Sequence, residues 1–348
     1  MKAYVLHAPN DINMEEVDKP ECEEGYVVVS VKAVGICGSD IPRIYKTGAH
    51  RHPLIPGHEF SGLVVETKES DAKWLGKRVG IFPLMPCRAC APCQKKQYEM
   101  CKNYNYLGSR CDGGFAEFVK VPVDNLIELP DNVTFQQAAM LEPMAVAVHA
   151  MRRAGLARKQ TVVIYGIGTI GMLLALFLKD AGIDNILVIG NKNFQKEMIA
   201  KIGIPIECYC DSRTEDVKKW VKKHTRDLGP DVVFECIGKN ETIVDCIEMA
   251  ASAATVITLG NPYSDMNFEK NIYWKILRSQ LTVKGTWNSS FTGEPEDDWH
   301  YVIERLGSGD VHPEMFITHR FKLENLIEGL EIMRDKSEDY VKIMGVME

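Results

Sequence analysis

Between Thr161 and Leu178 the chain runs eighteen residues without a charge: Thr-Val-Val-Ile-Tyr-Gly-Ile-Gly-Thr-Ile-Gly-Met-Leu-Leu-Ala-Leu-Phe-Leu. That is about the length of a membrane span, but Gly166, Gly168 and Gly171 divide it. Five residues, mostly β-branched or aromatic, precede the glycines, and an apolar helical run follows them. The segment therefore reads as a buried strand feeding a buried helix through a tight turn. In Gly166-Ile167-Gly168-Thr169-Ile170-Gly171 the first glycine permits the turn and the second lets backbone approach a pyrophosphate. The third allows close packing of helix on strand, and the phosphate belongs at the helix N-terminus.

A glycine triplet alone is a weak signal, and its surroundings strengthen it. After an Ala-rich helical stretch from about Met144 to Ala154, apolar strands alternate with helical patterns. The predicted strands are Thr161 to Tyr165, Ile186 to Ile189, Asp231 to Cys236, Thr255 to Leu259 and Leu281 to Lys284. Helices are predicted over Met172 to Lys179, Phe194 to Ile202, Val217 to Thr225 and Glu241 to Ala250. Such alternation makes a parallel sheet with crossover helices. The preceding 140 residues carry short apolar runs at Tyr26 to Val34, Gly62 to Thr67, Arg78 to Phe82 and Phe115 to Val121, separated by Gly and Pro, which predicts a β-rich, mostly antiparallel domain. After Gly285 the pattern turns irregular, with an acidic Gly/Pro segment at Gly293 to Asp298. A closing strand, Tyr340 to Val346, is expected to return to the first domain. The expected division is 1–143 completed by 287–348, and 144–286.

With 348 residues, 45% hydrophobic and 26% charged, the chain has material for two packed cores and no large disordered fraction. Its net charge of −7 has the wrong sign for non-specific grip on nucleic acid or an anionic membrane, so a small-molecule ligand is favoured. The first residues, Met1 to Pro9, contain no signal-peptide core, and a cytoplasmic location is expected.

Eleven cysteines are too sparse for a disulfide scaffold, and an odd number cannot all pair within the chain. Four of them, Cys87, Cys90, Cys93 and Cys101, fall within fifteen residues. Four thiolates at such short spacings can close a tetrahedral zinc site with no open position, which would hold a lobe in place and do no chemistry. Iron–sulfur ligation and unligated buried cysteines are the alternatives. A second constellation is dispersed: Gly35-Ile36-Cys37-Gly38-Ser39-Asp40, Gly57-His58-Glu59-Phe60 and Leu141-Glu142-Pro143. Cys37, His58 and Glu142 together offer thiolate, imidazole and carboxylate, three ligands that leave a fourth position for water or substrate, as a catalytic zinc requires. Asp40 can accept from the His58 ring nitrogen that faces away from the metal, and Glu59 is a near-site carboxylate able to exchange with water on it.

The strand Ile186 to Ile189 ends in Gly190-Asn191-Lys192, where a dinucleotide fold that takes NAD would place an acid to accept from the ribose hydroxyls. No acid stands there. Gly190 leaves room and Lys192 offers a positive charge, which leans the expectation towards NADP over NAD.

Taken in this order and spacing, the three constellations resemble the zinc-dependent medium-chain alcohol and polyol dehydrogenases over essentially the whole chain. Within that family, Thr47 to His50, Gly57 to Gly62, Gly108 to Phe118 and Cys37 to Ile44 are most similar to members acting on a polyol phosphate of the galactitol 1-phosphate kind, a likeness that extends to Lys275 to Arg278 and Gly285 to Trp287. The resemblance implies a Rossmann doubly wound sheet beside a β-rich GroES-like catalytic domain with a structural zinc lobe. It further implies two zinc ions per chain, one catalytic on Cys37, His58 and Glu142 and one structural on the four cysteines, and a proton-relay hydroxyl on Ser39. The implied reaction is oxidation of a secondary alcohol to a ketone with hydride transfer to NAD or NADP, and a homodimer or tetramer is the implied assembly. The family's relay histidine is replaced here by Ile41-Pro42-Arg43. Arg43, Lys46, His50, Arg51 and Arg110 are the cations expected to meet a substrate phosphate. An unphosphorylated polyol or other secondary alcohol, such as sorbitol, xylitol or threonine, is the alternative substrate.

Overall fold

The computed structural model describes residues 1–262 and 264–347. They form two compact units, Met1–Ala145 with Ser289–Glu348, and Val146–Asn288.

In the second unit the uncharged segment divides at the glycines. Val162–Tyr165 is a strand buried on both faces, and Thr169–Asp180 is a helix whose residues from Gly171 to Leu178 are all buried. No helix among the described residues is long and apolar enough to cross a membrane. Val162–Tyr165 pairs in parallel with Ile186–Gly190 on one side and Val232–Glu235 on the other. Tyr209–Asp211 extends the first flank, and Thr255–Thr258 then Thr282–Gly285 extend the second, giving a six-stranded parallel sheet. Numbered along the chain, the spatial order is 3-2-1-4-5-6, the doubly wound dinucleotide arrangement. Tyr209–Asp211 has no counterpart in the sequence reading, because three residues are too few to show a period. Its two buried residues, Tyr209 and Cys210, are held by register with Val188 and Ile189.

The first unit is built on Tyr26–Ile36, a long strand whose valines at 27, 28, 29, 31 and 34 are buried. Antiparallel partners flank it: Glu59–Thr67 and Phe118–Pro122 by its own unit's N-terminal part, and Lys342–Val346 from the chain's end. Lys342–Val346 pairs in parallel with Ile317–Phe321 at the sheet's margin, and Arg78–Ile81 and Leu126–Glu128 continue the other side.

The irregular reading after Gly285 is corrected by helices at Asp298–Gly307 and Leu326–Asp335. In the first, Asp297 caps the helix by accepting from the amide of His300. Trp299, Val302 and Leu306 are its buried face, at the i, i+3, i+7 spacing. The acidic Gly/Pro segment is therefore the entry to a helix. The short amphipathic stripe is hard to see beside so many turn residues.

Candidate metal centres and dinucleotide turn

The cysteine lobe is the simplest local structure. Cys90 sits at the N-terminal end of a one-turn helix, Ala91–Gln94, and a 3-10 turn, Tyr98–Met100, delivers Cys101. The donor sulfurs of Cys87, Cys90, Cys93 and Cys101 all lie within 4.8 Å of one another. Cys90 Sγ is 3.5 Å from Cys93 Sγ and 3.9 Å from Cys101 Sγ. A disulfide needs about 2 Å, whereas four sulfurs at about 2.3 Å from a tetrahedral zinc are spaced about 3.8 Å apart. The lobe thus has the dimensions of a four-thiolate zinc site. Amide donation from Lys102 and Cys93 lowers the Cys90 thiol to about 6, favouring the thiolate a metal requires.

A second cluster forms in the loops at one end of the central sheet, one following its strand and one preceding its strand. Tyr26–Ile36 ends at Cys37, and Glu59–Thr67 begins one residue after His58; Gly35 pairs with Glu59 across the ladder, so Cys37 and His58 are brought to one end of the sheet. Gly57 makes the approach possible. Its φ is +93°, and a Cβ there would meet Phe115 Cδ1 at 2.4 Å and Phe115 N at 2.9 Å. The donor atoms of Cys37, His58 and Glu59 fall within 4.8 Å of one another. Glu142, second residue of the helix Leu141–Ala154, is buried beside them but outside that triad; its Oε1 accepts from the Tyr106 hydroxyl at 3.2 Å. Ser39 donates from Oγ to Cys37 Sγ at 3.3 Å.

Around these donors charge is dense and largely buried. Asp40 is fully buried, accepts the Cys37 amide at 3.0 Å and carries the Arg43 guanidinium. His58 Nδ1 stands 3.3 Å from Asp40 Oδ1 but off line for a hydrogen bond, so it remains a buried nitrogen without an aligned partner. Burial opposes charge on both groups, and their mutual attraction outweighs it. His58 is lifted well above its ordinary range, and Asp40, helped by Arg43, is held below its own. Burial also pushes the Glu142 carboxyl up to about 7. An ion with two positive charges would reverse that cost, and the donor set suits zinc.

Sequence reasoning passed over two residues of this centre. Lys342, first residue of the last strand, is 2% exposed; its ammonium pairs with the Glu59 carboxylate and donates to Ile36 O at 3.0 Å. Burial works to lower its pKa, but Glu59, Cys37 and Glu142 hold it above the ordinary lysine value. Tyr106 approaches His58 edge-on, with ring centroids 5.8 Å apart. Neither residue lies in a motif: a lysine and a tyrosine at isolated positions read as solvated charge and core.

The structure also disperses the expected phosphate cations. Arg43 is engaged by Asp40, Arg51 pairs with Asp112 at 2.8 Å, and Arg110 lies over the Tyr104 ring while donating to Tyr104 O. Lys46 and His50 are exposed.

In the second unit Gly166 adopts φ +102°, with Ile237 closing the space a side chain would need. Gly171 packs against the turn so closely that a Cβ would meet Gly166 O at 2.1 Å. At Gly168, the N-cap of Thr169–Asp180, a Cβ would meet nothing within 4 Å. The helix N-terminus with Ile167, Thr169 and Ile170 around it is thus open to an anion where backbone must approach it, which fits a dinucleotide pyrophosphate. The expectation that Gly190 leaves room is corrected. A Cβ there would meet the Tyr209 hydroxyl at 2.5 Å and Gln195 Oε1 at 2.6 Å, so the space is filled. Tyr209 instead clamps the following loop, accepting from Lys192 N and donating to Lys192 O, while Gln195 accepts from Asn191 N. The register of Gly190 with Asp211 brings in Arg213, which holds both oxygens of Asp211 and depresses that carboxyl to about 2.

Residues 23–131 match the alcohol dehydrogenase GroES-like domain and residues 169–308 the zinc-binding dehydrogenase domain. Galactitol 1-phosphate 5-dehydrogenase of Escherichia coli (strain K12) is 30% identical over 333 residues, 95% of each chain. Sorbitol dehydrogenase of Bombyx mori is 29% identical over 95% of each chain. Among solved structures, the crystal structure of galactitol-1-phosphate dehydrogenase from Escherichia coli superposes with a TM-score of 0.92 at 28% identity, covering 100% of both chains.

Proposed function

The chain belongs to the zinc-dependent medium-chain alcohol and polyol dehydrogenases, NAD(P)-linked oxidoreductases, and on that premise we propose that it oxidises a secondary hydroxyl of a polyol phosphate of the galactitol 1-phosphate kind to a ketone, with NADP as the acceptor. The observation that carries this reading is the convergence of Cys37, His58 and Glu59, with Glu142 beside them, in a cluster of donors of which only Cys37 is partly exposed. Cys37 and His58, with a carboxylate from Glu142 or Glu59, would hold the catalytic zinc, and Cys87, Cys90, Cys93 and Cys101 the structural one. When bound, the catalytic ion lowers the pKa of an alcohol, and the dinucleotide accepts the hydride from its carbinol carbon.

The residues around the donors then have separate tasks. The charge of Asp40, braced by Arg43, lies 3.3 Å from His58 Nδ1 and favours a proton there, so that Nε2 is left to ligate. Ser39, a hydroxyl that both donates and accepts, takes the substrate's proton and passes it outward. Lys342 balances Glu59 in the dry interior, so that the cluster does not hold an excess of negative charge.

NADP is supported by the corner beyond Ile186–Gly190. No acid follows the strand, Lys192 does, and the neighbouring strand adds Arg213; Asp211 is already engaged by that arginine. A 2′-phosphate would find Lys192 there, with Arg213 beside it paired to Asp211.

The unphosphorylated alternative, a polyol such as sorbitol, is favoured by one observation: Arg43, Arg51 and Arg110 all have protein partners. The two readings part on one panel of polyols and their 1-phosphates with NAD and NADP, followed at the nicotinamide absorbance. The proposal expects kcat/KM higher for the phosphate than for the free polyol. Equal rates on both would remove the phosphate, and a preference for NAD would remove NADP.

A further inference from the structure

Two short strands, Leu84–Met85 and Asn105–Tyr106, pair antiparallel at the neck of the cysteine lobe, with Leu84 opposite Tyr106 and Met85 opposite Asn105. The first ends two residues before Cys87, and the second begins four residues after Cys101. The lobe therefore closes on a ladder that ends in Tyr106. From there the chain folds back sharply: Tyr106 O accepts from the amides of Ser109, Arg110 and Cys111. Gly108 then packs against Gly57, where a Cβ would meet Gly57 O at 2.3 Å, beside the residue that leads into His58. Tyr106 is thus fixed at its backbone from both sides. Its side chain reaches out of the lobe to the other donor cluster, ring edge to His58 and hydroxyl to Glu142 Oε1.

A glutamate carboxylate at the second position of a helix can rotate about three side-chain torsions, and a ligand that must meet an ion at one position gains from having one oxygen anchored. We propose that Tyr106 is a positioning residue for Glu142: by holding Oε1, it sets the orientation in which Glu142 serves the open metal site, and the cysteine lobe is the frame that holds Tyr106. This rests on the open zinc site proposed above. It gives the closed four-thiolate site a purpose beyond stabilising its own loop, because the ladder at its neck places a group in contact with the other centre.

The test uses the metal-loaded enzyme and its Tyr106→Phe variant, which keeps the ring against His58 and removes the hydroxyl. Zinc bound per chain and the affinity of the weaker site are measured by chelator competition, beside kcat and KM. The expected result is a fold intact by thermal melt, the lobe's zinc retained, and the open site's affinity reduced about tenfold. Glu142→Gln should weaken the same site, and adding Tyr106→Phe to it should change little further, since the hydroxyl acts through that carboxylate. The inference is overturned if Tyr106→Phe leaves the affinity unchanged, or if the two substitutions multiply independently. A wild-type chain that binds one zinc only, in the lobe, would overturn the open site and this inference together, whereas two zincs with an insensitive Tyr106 would overturn this inference alone.

Discussion

Replacing Lys342 by Met would remove the charge that balances Glu59 in the interior while keeping most of the side chain's volume. Both partners are almost inaccessible, at 2% and 1%. Breaking such a pair from one side leaves the other charge buried and uncompensated, at a cost of about 3–5 kcal/mol. The unit concerned has roughly 200 residues, and an unfolding entropy of about 2 cal/mol/K per residue converts that cost into a fall of about 7–12 °C in its melting temperature. The assay is thermal denaturation of wild type, Lys342→Met, Glu59→Gln and the double variant, each with zinc and after chelation. The double variant should recover most of the loss, because two neutral groups remain where one stranded carboxylate stood. Bound zinc should shrink the penalty of Lys342→Met, since a dication next to Glu59 takes over part of the ammonium's role. A drop under about 2 °C, or a double variant no more stable than Lys342→Met, would mean that Glu59 is not stranded without the ammonium.

Three further outcomes follow from the geometry. In metal-free enzyme Glu142 binds its proton more tightly folded, at about 7, than unfolded, so between pH 4.5 and 7 the native state holds the extra proton and stability falls as pH rises; urea midpoints should show this slope, and Glu142→Gln should flatten it. Gly171→Ala drives a Cβ into Gly166 O and should cost about 1–3 kcal/mol while weakening dinucleotide binding, read by calorimetric titration. Cys93→Ser should remove one zinc per chain and open the lobe to trypsin at Arg88, Lys95 or Lys96, whereas an uncut lobe would deny the metal its structural role.

Much of this architecture can be read from local pattern. The glycine turn declares itself because Gly166, Gly168 and Gly171 meet three separate demands within six residues, and the cysteine lobe because its donors are close in sequence. The alternation of strands and helices after Met144 foretells the doubly wound sheet, which the solved relative shares. What stays hidden depends on register between distant strands. Lys342 looks like an exposed strand residue until its strand is placed beside Tyr26–Ile36, which puts its ammonium on Glu59. Arg213 meets the Gly190 corner only because Tyr209–Asp211 pairs there, and Gly190 looks roomy until Tyr209 fills the space. Tyr106 is reached through a ladder of two residues per strand, too short for any periodicity.

On the proposed function, Cys37, His58 and a neighbouring carboxylate bind a zinc ion distinct from the one in the lobe, and this ion is required for alcohol oxidation. Metal stoichiometry of wild type and Cys37→Ser, measured on the same samples as polyol oxidation, tests it most directly. The expected result is about two zinc ions per chain falling to about one, with the lobe intact and turnover reduced by at least about 1,000-fold. A Cys37→Ser protein that keeps both ions, or that loses one and still oxidises its substrate at the original rate, would contradict it.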